Sequence, residues 1–304
     1  MKFTKKGLIY NPVKLDDWRD NTFITPTPFL LNDDVIRVYG GFRDATGASR
    51  IGYIDVSASN PSEILAVSDK PVLDIGEGGM FDDNGVILGS IIRDGDAIRM
   101  YYVGFQAIKK AKFLAFSGLA ESTDGGNTFQ RKLVTPILDR YDNERYIRAI
   151  HTVIKEDGKY KIWYSQGEGW EYINGIPYPK YDIMYTESED GINISNDMRI
   201  SCVKNEGTEY RIGRPTVFKE DGIYKMFYTR DNLAKEYRAG YAESADGVNW
   251  VRKDDKFTLE LSAEGWDSET VCYPVPVEAK GKKYVFYSGN GMGASGVGYA
   301  IMES

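Results

Sequence analysis

The only histidine of this chain, His151, stands close behind Glu144, Arg145 and Arg148. Comparable clusters recur along the sequence. Arg19 with Asp20, Asp82 with Asp83, Glu209 with Arg211 and Arg214, and Asp267 with Glu269 each precede a β-type run. A second series follows such runs: Arg43 with Asp44, Gln106, Gln166 with Glu168, Arg230 with Asp231, and Asn290. Two chemistries are open to these residues. Asp83 paired with Glu269 or Glu209 could serve as acid and base on a glycosidic bond, which needs two carboxylates at a set separation. Arg43, Arg148, Arg211 and Arg214 could instead hold a phosphate or carboxylate through the two-pronged guanidinium. His151 reads as a packed, hydrogen-bonded residue. One histidine without clustered cysteines gives no zinc pattern, so neither metal nor cofactor is expected.

Something must gather these residues, and a repeat does so. The stretch Arg214–Trp250 contains three β-type runs, Pro215–Lys219, Tyr224–Thr229 and Arg238–Glu243, and a short fourth starting at Val248. Asp221-Gly222 separates the first two and fits a tight hairpin, because glycine tolerates positive φ. His151–Tyr164 with Tyr185–Asn193 repeats the pattern, as do Pro274–Tyr287 with Gly298–Ala300 and Gly89–Tyr102 with Gly118–Ser122. Pro26–Tyr39 with Gly52–Ile54 is a weaker copy. Pro26, Gly89, His151, Pro215 and Pro274 fall in one column, spaced by 63, 62, 64 and 59 residues. The reading is all-β: one domain over 1–304, a five-bladed β-propeller of four-stranded antiparallel blades. The last repeat lacks an outer strand, and Phe3–Tyr10 is expected to supply it by pairing with Gly296–Met302.

Antiparallel geometry puts the start of each first strand and the end of each second strand at one mouth. The residues expected to meet a ligand there are Asp20, Arg43, Asp44, Arg148, His151, Glu168, Arg214, Asp231, Tyr273 and Asn290, with Asp83, Glu269 and Glu209 as acids. Gly167–Tyr181, the longest insertion, shows no strand period and reads as a binding loop. Its Trp170, Tyr172, Tyr178 and Tyr181 suit stacking on a sugar. Lys109–Lys112 reads as a solvated basic turn. Gly289–Gly296 is glycine-rich but precedes no helix pattern, so it is not a phosphate loop.

With 45 acidic against 38 basic residues the net charge is −7, which argues against broad nucleic-acid binding. Cys202 and Cys272 read as buried free thiols. Neither a leader nor a membrane span is seen, and the expectation is a soluble, cytoplasmic protein.

Arg214–Phe218, Tyr224–Tyr228, Gly240–Trp250 and Tyr287–Gly291 resemble the blade signatures of glycoside hydrolase families 43, 32 and 130. The resemblance covers nearly the whole chain. It implies a carbohydrate-active enzyme that cleaves or transfers a glycosidic bond, as hydrolase or phosphorylase, with a carbohydrate or anionic sugar as partner. The chain departs from family 43 where that family's base precedes a proline, for Thr25-Pro26 stands there. It departs again near His151, where Arg148-Ala149-Ile150 replaces the expected acid. The arginines point toward an anionic sugar or toward phosphate, as in family 130. The alternatives are a non-catalytic propeller binding sugar or sugar phosphate, and an interaction scaffold.

Overall fold

The computed structural model describes residues 1–303. Strands dominate, and they fall into four-stranded antiparallel meanders in chain order. β2 (Phe23–Asn32), β3 (Val35–Arg43), β4 (Ser49–Ser57) and β5 (Ile64–Val67) form the first. β6 (Val86–Asp94), β7 (Ala97–Gln106), β8 (Leu114–Ser122) and β9 (Gln130–Arg131) follow. Next come β10 (Ile147–Glu156), β11 (Lys159–Ile173), β12 (Ile176–Ser188) and β13 (Ile200–Val203). β14 (Glu209–Glu220), β15 (Ile223–Asn232), β16 (Arg238–Ser244) and β17 (Val251–Arg252) repeat the plan. The last sheet is β18 (Cys272–Ala279), β19 (Lys282–Ser288) and β20 (Val297–Glu303), completed by β1 (Lys2–Tyr10).

The N-terminal strand lies where the sequence puts it, antiparallel to β20 with Phe3 opposite Met302 and Tyr10 opposite Val297. The hairpins between first and second strands turn on Asp157-Gly158, Asp221-Gly222 and Lys280-Gly281, all at positive φ. That matches the twist of the flanking strands. The fourth strand of the fourth sheet begins at Val251, later than expected, because Asp246 caps the backbone of Val248 and Asn249. Two short parallel contacts join the middle three meanders. Tyr181 of β12 lies opposite Arg211 of β14, and Ile147–Arg148 of β10 opposite Ala115–Phe116 of β8.

One expectation is corrected. Gly167–Tyr181 is not a loop; it extends β11 and β12 into a long hairpin, with Ile173 opposite Ile176. Its tip is Asn174-Gly175 at φ 52° and 79°, the residue pair such a turn favours.

Each interval between sheets is filled by side chains from both. Tyr39 and Ile51 pack with Leu88 and Tyr102; Tyr101 and Leu119 with Ile150 and Tyr164. Trp163 and Tyr185 pack with Met226 and Tyr228; Phe227 and Tyr241 with Val285 and Tyr287. Tyr284, Phe286 and Tyr299 of the last sheet pack with Phe23, Ile36 and Val38 of the first. A single meander could not bury both faces, so each depends on its neighbours. Among the described residues no helix is long and apolar enough to cross a membrane. Cys202 and Cys272 are free, and burial pushes both thiols up, Cys202 to about 12.

Candidate functional site

The first strands of all the sheets face a common space. Thr27, Gly89, Thr152, Thr216 and Val275, one from each, line a small cavity of about 160 Å³. His151 and Arg214 line both this cavity and a larger one of about 530 Å³.

Each first strand changes register at the same step against its second strand. The shifts fall between Ile24 and Thr27, Leu88 and Ser90, Ile150 and Thr152, Gly213 and Thr216, and Cys272 and Val275. The extra residue bends the strand and re-aims its side chain. Thr25, Arg214 and Tyr273 occupy the bulge at φ 58°, 51° and 56°. Each precedes a proline, which normally holds the residue before it extended. A left-handed backbone is uncommon for such side chains, above all for a β-branched one, and strain of this kind gathers at functional sites. All three line the larger cavity. Gly89 takes that step in the second sheet because a Cβ there would lie 2.0 Å from the Ile150 carbonyl oxygen.

The larger cavity is rich in cations. Arg43, Lys112, Arg211 and Arg214 line it, and no Asp or Glu among the described residues does. Arg211 is matched from behind by Asp231 at 2.7 Å. Arg214, 7% exposed, meets only neutral acceptors. Its Nη1 donates to the Leu88 carbonyl oxygen at 3.0 Å, and its Nη2 reaches Thr27 Oγ1 at 3.3 Å. Burial pulls its pKa down to about 10, against a weaker upward pull from Tyr273, Tyr237 and Cys272. It is still charged at neutral pH. His151 Nδ1 lies 3.4 Å from Arg214 Nη1. Burial, then the Arg214 charge, depresses the imidazole well below its usual range. The ring is therefore neutral, and accepting at Nδ1 leaves its proton on Nε2.

Tyrosines form much of the remaining wall: Tyr178, Tyr181, Tyr237 and Tyr273. The Tyr237 and Tyr273 hydroxyls lie 2.9 Å apart, and burial raises both phenols above their usual range. The Arg211 guanidinium lies 4.8 Å from the centre of the Tyr237 ring.

Of the residues singled out at the strand ends, the cavity gathers Arg43, His151, Arg211, Arg214 and Tyr273. The others stand elsewhere. Asp83 lies in the turn before Asn84, which does line the cavity; its Oδ2 accepts from the Gly79 N–H at 2.8 Å. Glu269 is exposed. Asn290 staples the loop beside it, accepting from the Glu269 and Thr270 N–H groups at 2.8 and 3.0 Å and donating to Gly265. Glu209 is held by Arg252 at 2.8 Å and Arg230 at 3.0 Å; these contacts outweigh burial and keep its carboxyl below the usual range. Arg148 is buried against Glu144 at 2.6 Å and also donates to Asn196, so its charge is used inside the third sheet. Asp44 caps its own turn through Thr46 and Ala48 and pairs with Arg50 at 2.7 Å. Asp231 is buried under Tyr210, Arg211 and Lys235. Asp20 accepts from Asn21 at 2.8 Å, and Glu168 is exposed at the hairpin base. Of the hairpin aromatics, Tyr178 and Tyr181 reach the cavity, Trp170 packs on Phe113, and Tyr172 points outward, 65% exposed.

Sequence reasoning passed over Tyr237, Ser49 and Thr25, and treated Lys112 as a plain loop residue. The Thr25-Pro26, Arg214-Pro215 and Tyr273-Pro274 steps are a usable signal, since all fall where the first strand changes register.

Two uncharacterized proteins of Mycobacterium tuberculosis, MT1551 of strain CDC 1551 / Oshkosh and Rv1502 of strain ATCC 25618 / H37Rv, are each 30% identical to this chain over 305 aligned positions, covering 100% of both partners. The chain belongs to their family. No family model matches it. Among solved structures, a glycosyl hydrolase from Bacteroides ovatus superposes with a TM-score of 0.75 at 16% identity, covering 99% of this chain and 93% of that one. A thermostable family-43 glycoside hydrolase gives 0.70 at 16% identity, covering 96% and 90%. The Bombyx mori GH32 beta-fructofuranosidase BmSUC1 gives 0.65 at 16%, covering 97% of this chain and 61% of that one. The likeness is one of fold: this chain shares the nearly all-β, propeller-like architecture of glycoside hydrolases.

Proposed function

We propose that this chain is a carbohydrate-active propeller that holds its sugar in the larger cavity. Its meanders are taken as five blades of one domain, closed by β1. The core shared by Phe286 of the last sheet and Phe23 of the first supports that arrangement. The observation that carries the functional reading is the convergence of Tyr178, Tyr181, Tyr237 and Tyr273 with guanidinium groups around about 530 Å³. Aromatic faces take the C–H faces of a pyranose and polar groups take its hydroxyls, and the volume falls in the range of small-molecule sites. A thermal-shift panel of mono- and disaccharides tests it. One class should raise Tm, and Tyr178→Ala should abolish that shift. No shift with any sugar or sugar derivative would sink the reading.

A second reading, cleavage of a glycosidic bond, is favoured by Asp83. Its buried Oδ1 has no partner among the described residues, and its neighbour Asn84 borders the cavity. Glu269 is the second acid of this reading, and Glu209 serves as an ion-pair partner. Turnover of an aryl glycoside that falls on the order of 100-fold in Asp83→Asn, with sugar binding kept, supports it. Absence of turnover on every glycoside leaves the binding reading alone.

A further inference from the structure

We infer that the occupant of the larger cavity is a phosphorylated sugar, whose phosphoryl oxygens are met by Arg43 and Arg214. This rests on the carbohydrate reading above and adds the charge of the ligand.

The first argument is hydrogen-bonding capacity. Thr25 Oγ1, Arg43 Nε, Ser49 Oγ and Arg214 Nε are buried atoms without a hydrogen-bond partner among the described residues, and all four residues border this cavity. The hydroxyls can donate, and the guanidinium atoms can do nothing else. Leaving buried donors unmade is costly, so these residues bring spare donor capacity to the cavity. Among the described residues no carboxylate stands there to receive a proton donor from the ligand. A neutral sugar brings a donor with each hydroxyl and would meet only neutral acceptors here, leaving the guanidinium donors without an anionic partner. Phosphoryl oxygens accept several bonds at once, and bonds from a guanidinium to them are among the stronger kind.

The second argument is charge. The chain carries a net −7, yet around this cavity the buried Arg214, the half-buried Arg43 and the exposed Lys112 have no carboxylate partner among the described residues. A buried cation is expensive unless an anion accompanies it. The depressed Arg214 has only the neutral His151, Thr27 and carbonyl oxygens around it. A phosphate monoester carries about −1.5 to −2 near neutral pH, closer to this excess than the single charge of a uronate.

Calorimetric titration of the full chain with hexose phosphates, the matching free hexoses, hexuronates and inorganic phosphate tests the inference. At least one hexose phosphate should bind about tenfold or more tightly than its free hexose, and added salt should shrink the gap. Arg43→Gln should remove about tenfold of the preference without moving Tm, and Arg214→Gln should act on the same preference. Equal binding of the free hexose, indifferent to Arg43→Gln, overturns the phosphoryl inference and leaves the carbohydrate reading standing. Preference for a hexuronate overturns it in favour of a carboxylate. Binding of inorganic phosphate with no sugar compound bound overturns both.

Discussion

Arg214 Nη1 and His151 Nδ1 face each other at 3.4 Å across the first strands of neighbouring sheets. Burial first, and then the Arg214 charge, holds the imidazole neutral, while the guanidinium beside it stays charged. It also places the chain's only histidine next to a cation that no carboxylate among the described residues neutralises.

A pH dependence follows. The folded His151 is depressed below the value it takes once unfolded, so the unfolded chain binds this proton first. Stability is fully present above the unfolded pKa, and falls as pH drops from there toward the depressed folded value. The slope from this one residue is at most about 1.4 kcal/mol per pH unit. Urea midpoints at pH 7.5 and pH 5 should show His151→Gln losing less stability on acidification than the parent.

Two of the buried arginines, Arg148 and Arg214, should differ in what their loss costs. Arg148→Met leaves Glu144, 2% exposed, without its closest counter-charge and should cost about 3 kcal/mol or more. Arg214→Met strands no carboxylate, so its cost should stay under about 2 kcal/mol, the size of orphaning the carbonyl it serves. Denaturant titration of both variants gives the comparison. Equal losses would mean that Arg214 is a structural cation like Arg148.

Asn290 is predicted to matter for order rather than for contact with a ligand. Asn290→Ala removes acceptor bonds to two N–H groups and a donor bond to Gly265. It should cost about 1–3 kcal/mol by thermal unfolding. Affinity for any ligand that the parent binds should change by less than about threefold, a small fraction of one charge-assisted bond.

Removing residues 1–10 should expose the edge of β20 that β1 covers. An open strand edge favours association. Light scattering on heating should therefore begin at a lower temperature in the truncated chain, and a monodisperse truncated protein with unchanged Tm would contradict the role given to β1.

The fold was legible because its signals are local: alternating apolar runs, Asp-Gly turns and a recurring column at Pro26, Gly89, His151, Pro215 and Pro274. The hairpin at Asn174-Gly175 was missed although its turn pair is a strong signal, because prolines and glycines on both sides mask the strand period. The site was half legible. Charge at the strand ends could be read, but not whether another charge already uses it. Glu209 is spent on Arg252, 43 residues away, and Arg148 on Glu144 in the same stretch. Only packing tells these from Arg43 and Arg214. Tyr237 looked like any loop aromatic until Tyr273 was found against it.

The recurring bulge has one more implication. Because every first strand breaks step at the same height, the side chain delivered there is decoupled from the alternation that packs sheet on sheet. Thr25, His151, Arg214 and Tyr273 stand in equivalent slots, and only Gly89 is held to its residue type, by the Ile150 carbonyl. A substitution in one slot can change what the cavity presents while the buried layers between sheets stay as they are.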